Sequence, residues 1–201
     1  MRKLIVSEWV TLDGVFDADT MDQWFAPYNS DGRAAYIKET IDESDAFLIG
    51  RTTYEMFAAY WPAQKNNESG IGDKVNSVAK YVVSSTLKKA EWNNSTIIKE
   101  NILEEVTSMK QQTGQDILIS GSATLVKSLM EAELIDEYRF MVHPVIMGSG
   151  KHFFKEGMHI SGLKLVKTKP LDLGVILFCY QPTKISRPVS EASRNQQLMS
   201  N

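Results

Sequence analysis

The sequence predicts an α/β domain built on a mixed, mostly parallel sheet that ends in an antiparallel hairpin. Three observations predict it. Short continuous apolar runs, such as Ala46-Phe47-Leu48-Ile49 and Ile117-Leu118-Ile119, read as strands covered on both faces. Stretches with apolar residues three and four apart separate those runs, as amphipathic helices require. The last two runs, residues 163–168 and 175–180, are joined by a turn too short for a crossover helix.

The elements follow in order. Leu4-Ile5-Val6 with Trp9-Val10 reads as the first strand. Asn29-Ser30-Asp31 can cap a helix whose apolar face is Ala34, Ile37 and Ile41. Gly50 breaks the Ala46-to-Ile49 strand, and Thr52 or Thr53 can cap a helix carrying Tyr54, Phe57 and Ala58. That helix stops at Trp61-Pro62. Residues 65–72 are polar and glycine-bearing, hence a loop. Ile71, Val75, Val78 and Ala79 recur at helical spacing. Tyr81-Val82-Val83 and Thr96-Ile97-Ile98 read as strands. Ile102, Leu103, Val106 and Met109 mark a helix that Thr113-Gly114 ends. Ile117-Leu118-Ile119 turns at Ser120-Gly121-Ser122 into a helix with Leu125, Val126 and Leu129 inward. Residues 135–142 form a longer strand that ends at His143-Pro144. One domain is expected over residues 1–183, followed by a polar, aperiodic tail over 184–201.

Composition narrows the function. The chain has 201 residues, 43% apolar and 23% charged, with a net charge of −3. A chain of this size buries enough surface to fold without disulfides or metals. The slight acidity argues against nucleic-acid or anionic-membrane partners, which call for a basic excess. The single cysteine, Cys179, lies in an apolar run and has no partner for a disulfide. The first residues lack the apolar core of a signal peptide, and no apolar run reaches membrane-spanning length, so a cytoplasmic protein is expected. His143, His152 and His159 lack metal-ligand spacing, so no metal site is expected.

The chemistry is expected where a strand runs straight into a helix, because helix N-termini favour anions and ligands gather beyond the carboxyl ends of parallel strands. Phe47-Leu48-Ile49-Gly50-Arg51-Thr52-Thr53 is one such junction: a glycine for close approach, a forked cation for phosphate, two hydroxyls. Ile119-Ser120-Gly121-Ser122-Ala123-Thr124 is the other, small enough for a pyrophosphate to lie against helix N–H groups. Ser84-Ser85, near Lys88 and Lys89, ends a third strand and could meet an adenosine ribose or phosphate. Each junction also reads as an ordinary turn. Met147-Gly148-Ser149-Gly150-Lys151-His152 lacks the glycine and the Ser/Thr of a phosphate loop, and neither a G-x-G-x-x-G nor a G-x-S-x-G motif occurs. Asp13 and Asp31 are the catalytic candidates, able to anchor an amino-pyrimidine or to place a proton. Both also suit purely local roles, Asp13-Gly14 as a turn and Asp31 as a cap.

Five stretches together carry a resemblance: Ser7 to Phe16 (SEWVTLDGVF), Phe47 to Glu55 (FLIGRTTYE), Tyr81 to Leu87 (YVVSSTL), Ile119 to Leu125 (ISGSATL) and His143 to Phe154 (HPVIMGSGKHFF). They resemble the reductase domain of the bifunctional riboflavin-biosynthesis deaminase-reductase, within the dihydrofolate-reductase-like superfamily, and above all its free-standing small bacterial members. The resemblance implies a three-layer sandwich with a sheet of about eight strands, and NADPH as cofactor. It implies that the family's cofactor-binding strand-glycine-arginine-threonine segment falls on Gly50, Arg51, Thr52 and Thr53, with Arg51 facing the adenosine 2′-phosphate. It places Ser84 and Ser85 beside the adenosine, and Ser120, Gly121, Ser122, Ala123 and Thr124 on the pyrophosphate. Ser120 stands where the family usually has glycine. Val10 and Gly14 would flank the nicotinamide. The riboflavin-type members keep an Asp at the position of Asp13, and true dihydrofolate reductases keep an acid in the following helix, which Asp31 matches approximately. A homodimer paired through the C-terminal strands is implied too. No H-x-E with P-C-x-x-C occurs, so the deaminase step is excluded. The expected function is reduction of a pterin-, pyrimidine- or related heterocyclic small molecule. The rival readings are a non-catalytic nucleotide-binding dimer on the same fold, or a hydrolase or transferase using the same cleft.

Overall fold

The structure, a computed structural model, describes residues 1–64, 70–154 and 162–183. The tail over 184–201, His159 and most of the 65–72 loop lie outside the described residues. The chain begins with β1 (Leu4–Thr11), a short α1 (Met21–Trp24), α2 (Asp31–Asp42), β2 (Ser44–Gly50), α3 (Arg51–Tyr60) and α4 (Ile71–Ser77). It continues with β3 (Ala79–Val83), β4 (Ser95–Ile98), α5 (Ile102–Gln111), β5 (Asp116–Ile119), α6 (Ala123–Glu131) and β6 (Glu137–His143). The hairpin β7 (Gly162–Pro170) and β8 (Ile176–Thr183) closes it.

The eight strands form one sheet in the order β4-β3-β2-β5-β1-β6-β8-β7. The first six in that order are parallel, and β8 and β7 add antiparallel. Alternation along each strand divides the core into two layers. Leu4, Val6, Ala46, Leu48, Ile117 and Ile119 face α5 and α6. Ile5, Phe47, Ile49 and Leu118 face α2, α3 and α4. The three-layer α/β sandwich expected from the sequence is therefore the observed fold. Full burial of Leu48 and Ile49, each worth about 1.5–3 kcal/mol, explains why β2 reads as an unbroken apolar run.

Several details differ from the sequence reading for local reasons. β1 is continuous through Ser7 and Glu8, because the sheet buries both of them. α3 is capped by Gly50 with no side-chain bond, not by Thr52 or Thr53, since the helix starts directly at Arg51. α4 ends before Val78, whose extended backbone hands Ala79 to β3. Ser30, rather than Asp31, caps α2, its Oγ accepting from the Arg33 N–H at 3.3 Å.

The two ends of the sheet are different. At the amino ends of the strands, charged groups tie elements together: Arg2 pairs with Asp45, and Lys110 with Asp136, which also accepts from the Leu4 N–H. At the carboxyl ends lie the strand-to-helix junctions, Leu12 to Val15 and the segment after His143.

Candidate functional site

The β2-to-α3 and β5-to-α6 junctions are packed against each other. The Gly50 N–H donates to the Gly121 carbonyl at 3.4 Å. A Cβ built on Gly50 would lie 2.7 Å from Ser122 Oγ, and one on Gly121 would lie 2.6 Å from Thr53 Oγ1. Gly121 has φ +69°, a conformation that strains any side chain with a Cβ. Two glycines thus let two helix N-termini approach closely. Gly50 lacks a capping side chain, and the first-turn N–H groups of α3 and α6 have no acceptor within their own helices. Ser122 caps α6 by accepting from the Leu125 N–H at 3.4 Å, while Ala123 is buried and Thr124 is exposed. Paired positive helix ends lined by small residues suit a diphosphate.

Arg51 extends this surface toward β3. One guanidinium nitrogen donates to Thr86 Oγ1 at 2.8 Å, and Nε pairs with Glu55 at 3.0 Å. Its side chain is about half exposed, so the fork is open to a ligand. Ser84 shapes the neighbouring turn, its Oγ accepting from the N–H groups of Thr86 and Leu87, and Ser85 and Thr52 are exposed beside it. Arg51, Ser84, Ser85 and Thr86 make a cationic, hydroxyl-bearing shelf. These features fit a phosphorylated dinucleotide: two adjoining helix ends suited to a diphosphate, and a half-exposed guanidinium on the same rim.

On the other side of Gly121, a cavity of about 700 Å³ opens between the sheet and the helices α2 and α3. Ser7, Trp9, Leu118 and Ser120 form its floor, and Phe25, Arg33, Ile37 and Phe57 are among its walls. Ser120, assigned above to the pyrophosphate turn, thus lines this cavity and joins it to the diphosphate cradle. Trp9 stacks on Phe25 with centroids 4.3 Å apart. His143 holds the aromatic wall from behind, in contact with Trp24, Phe25 and Tyr28. Burial pushes its pKa down to about 4, so it is neutral at pH 7. Val10 lies on the opposite face of the sheet from Trp9, in the α5–α6 core. Gly14 is half-buried in the turn after β1, where its carbonyl accepts from the Phe153 N–H at 3.0 Å.

Neither acid candidate is among the residues that line this cavity. Asp13 accepts from the Thr11 hydroxyl at 2.6 Å and from the Gly148 and Met147 N–H groups at 2.7 and 3.2 Å. The Thr11 bond foremost, then those amides, holds its pKa at about 2, so it is an ionised brace between two loops. Asp31 is exposed on the first turn of α2.

Two residues missed in the sequence now stand out. Glu8 is buried beneath the diphosphate cradle, where Oε1 accepts from the Gly121 N–H at 2.6 Å. Burial raises its pKa to about 8, so the group is mostly protonated at pH 7 and adds little negative charge under the helix end. Its signal was an acid in register with buried Leu4, Val6 and Val10 on one strand face. Arg33 is the other, a cation one position before Ala34 on the buried side of α2.

No helix among the described residues is long and apolar enough to cross a membrane. Comparison with known proteins agrees with the architecture. The uncharacterized protein YyaP of Bacillus subtilis (strain 168) is 30% identical over 181 residues, covering 89% of this chain and 94% of its own. A deaminase/5-amino-6-(5-phosphoribosylamino)uracil reductase from Thermotoga maritima superposes with a TM-score of 0.64 at 12% identity, covering 90% of this chain and 57% of that one. Dihydrofolate reductase from Enterococcus faecalis, complexed with NADP(H), gives 0.59 at 17% identity, over 90% and 97% of the two chains. At those identities the structures establish the fold alone. The RibD C-terminal domain model matches residues 2–177, nearly the whole described chain, and the protein belongs to that family of reductase-type domains.

Proposed function

We propose that the protein is an NADPH-dependent reductase acting on a small heterocyclic molecule held in the cavity beside Ser120. One observation carries this reading: the glycine-paired helix ends and the apolar cavity meet at the Ser120-Gly121 step. Gly50, Thr52, Thr53, Gly121, Ser122, Ala123 and Thr124 hold the diphosphate, and Arg51 with Ser84 and Ser85 holds the adenosine end. The Enterococcus relative's complex with NADP(H) supports this choice of cofactor. When bound, the reduced nicotinamide supplies the hydride. Gly14 shapes the turn after β1 beside it, while Val10 supports that strand end from the α5–α6 core.

The chain's own residues then exclude water and orient the substrate. Trp9, Phe25 and Phe57 give a low-dielectric wall for a flat ring. Among the described residues no carboxyl or imidazole lines the cavity, so the proton that completes the reduction comes from a hydroxyl or from water. Asp13 acts through its loop, keeping Gly14 in place, and Asp31 favours the positive end of α2. The same lack of a cavity acid favours a second reading, a nucleotide-binding protein without turnover. A homodimer would form on the hairpin, whose edge strand β7 leaves Leu163, Leu165 and Val166 exposed.

Arg51→Ala tests the cofactor assignment. Loss of a charge-assisted contact to the 2′-phosphate should weaken NADPH by roughly tenfold or more, with little change for NADH. Equal losses for both nucleotides would remove Arg51 from the phosphate site.

A further inference from the structure

The cavity contains a buried cation that its surroundings do not neutralise. Arg33 is 3% exposed and lines the cavity wall. Its guanidinium lies over the Phe25 ring, 3.9 Å from the centroid. One terminal nitrogen donates to the Phe25 carbonyl and the other to Asn29 Oδ1 at 3.0 Å. Both acceptors are neutral. Nε is buried without a hydrogen-bond partner. Among the described residues Arg33 forms no ion pair, and the adjacent His143 is uncharged.

Arginine keeps its proton in proteins, so burial does not discharge it. Holding a guanidinium in an apolar wall without a counter-charge is costly, and a clamp on two neutral oxygens does not require a full charge. The wall therefore sets one uncompensated positive charge beside a mostly apolar cavity.

We propose that Arg33 selects an anionic substrate: a compact, flat, mostly apolar molecule with a single carboxylate, bound with that group against α2. The cavity offers one unit charge, so a monoanion is neutralised where a dianion would remain half unpaired. An amino-pyrimidine that docks through positive or N–H edges would need a carboxylate on this wall, and the wall has a guanidinium instead. The anion's role as a substrate rests on the reductase reading; the anion site itself does not.

The test is calorimetric titration of the intact protein with 2-naphthoate and with 2-naphthamide, which share a ring system and differ in charge. The wild type should bind the acid roughly tenfold tighter or more, as expected for a charge-assisted bond in a dry site. In Arg33→Met the two should converge, and Arg33→Lys should keep a reduced preference. Equal binding of acid and amide by the wild type, binding of neither, or a preference that survives in Arg33→Met would overturn the proposal. The wild-type comparison decides the matter even where Arg33→Met fails to fold. A parallel NADPH titration separates the two readings. Acid preference without NADPH binding would leave the anion site standing and the reductase reading refuted. NADPH binding without acid preference would do the reverse.

Discussion

Gly121→Val is expected to destabilise the domain by about 3 kcal/mol or more and to lower NADPH affinity roughly hundredfold in whatever fraction still folds. The stability loss has two sources. Gly121 occupies φ +69°, where a β-branched residue is strained. A Cβ there would also sit 2.6 Å from Thr53 Oγ1, so the α3 and α6 N-termini would be forced apart. Separation removes the alignment of two sets of N–H groups on one diphosphate, and two charge-assisted hydrogen bonds account for the affinity change. Thermal unfolding followed by circular dichroism reads the first effect, and nucleotide titration reads the second. A variant that melts with the wild type and binds NADPH normally would show that this contact does not form the cradle.

Glu8→Gln is expected to do the opposite to stability, increasingly so as pH rises above about 5. The unfolded chain ionises Glu8 near 4.5, whereas the folded protein holds its proton up to about 8. Between those values the native state carries one more proton than the unfolded state. Rising pH therefore draws the equilibrium toward unfolding, and stability falls from pH 4.5 to 8 by at most about 4–5 kcal/mol from this group. Glutamine keeps an oxygen to accept the Gly121 N–H and has no charge to bury. The variant should match the wild type near pH 5 and melt roughly 10 °C higher near pH 9, given the usual few degrees per kcal/mol for a chain of this size. Melting curves across that range check it. Parallel pH profiles for the two proteins would mean that Glu8 is ionised in the fold.

How much of this was legible in the sequence depends on how many residues signal each feature. The β2-to-α3 and β5-to-α6 junctions were legible because a run of apolar residues, a glycine and small polar residues all point the same way. The hairpin was legible from two runs with no room for a helix between them. Single residues were harder. Glu8 interrupts the β1 pattern, and one acid in a strand reads as a break until pairing to β5 and β6 buries it. Arg33 sits next to the apolar stripe of α2, and a helical wheel cannot tell a solvated arginine from one turned under Phe25. Asp31 was attractive as an acid near the right helix. Once Ser30 takes the cap, however, the α2 side chains that line the cavity begin at Arg33, two residues after Asp31. The closeness of Gly50 to Ser122 is a contact across 72 positions of chain, and only the sheet order creates it.

On the proposed reading, the rim formed by Arg51, Gly50 and Gly121 holds a phosphorylated nicotinamide dinucleotide. Equilibrium titration of the intact wild-type protein with NADPH and, separately, NADH tests it most directly, read by the quenching of Trp9, Trp24 and neighbouring indoles. Both nucleotides should bind saturably, NADPH tighter by roughly tenfold or more. Absence of binding, or tighter binding of NADH, would contradict it.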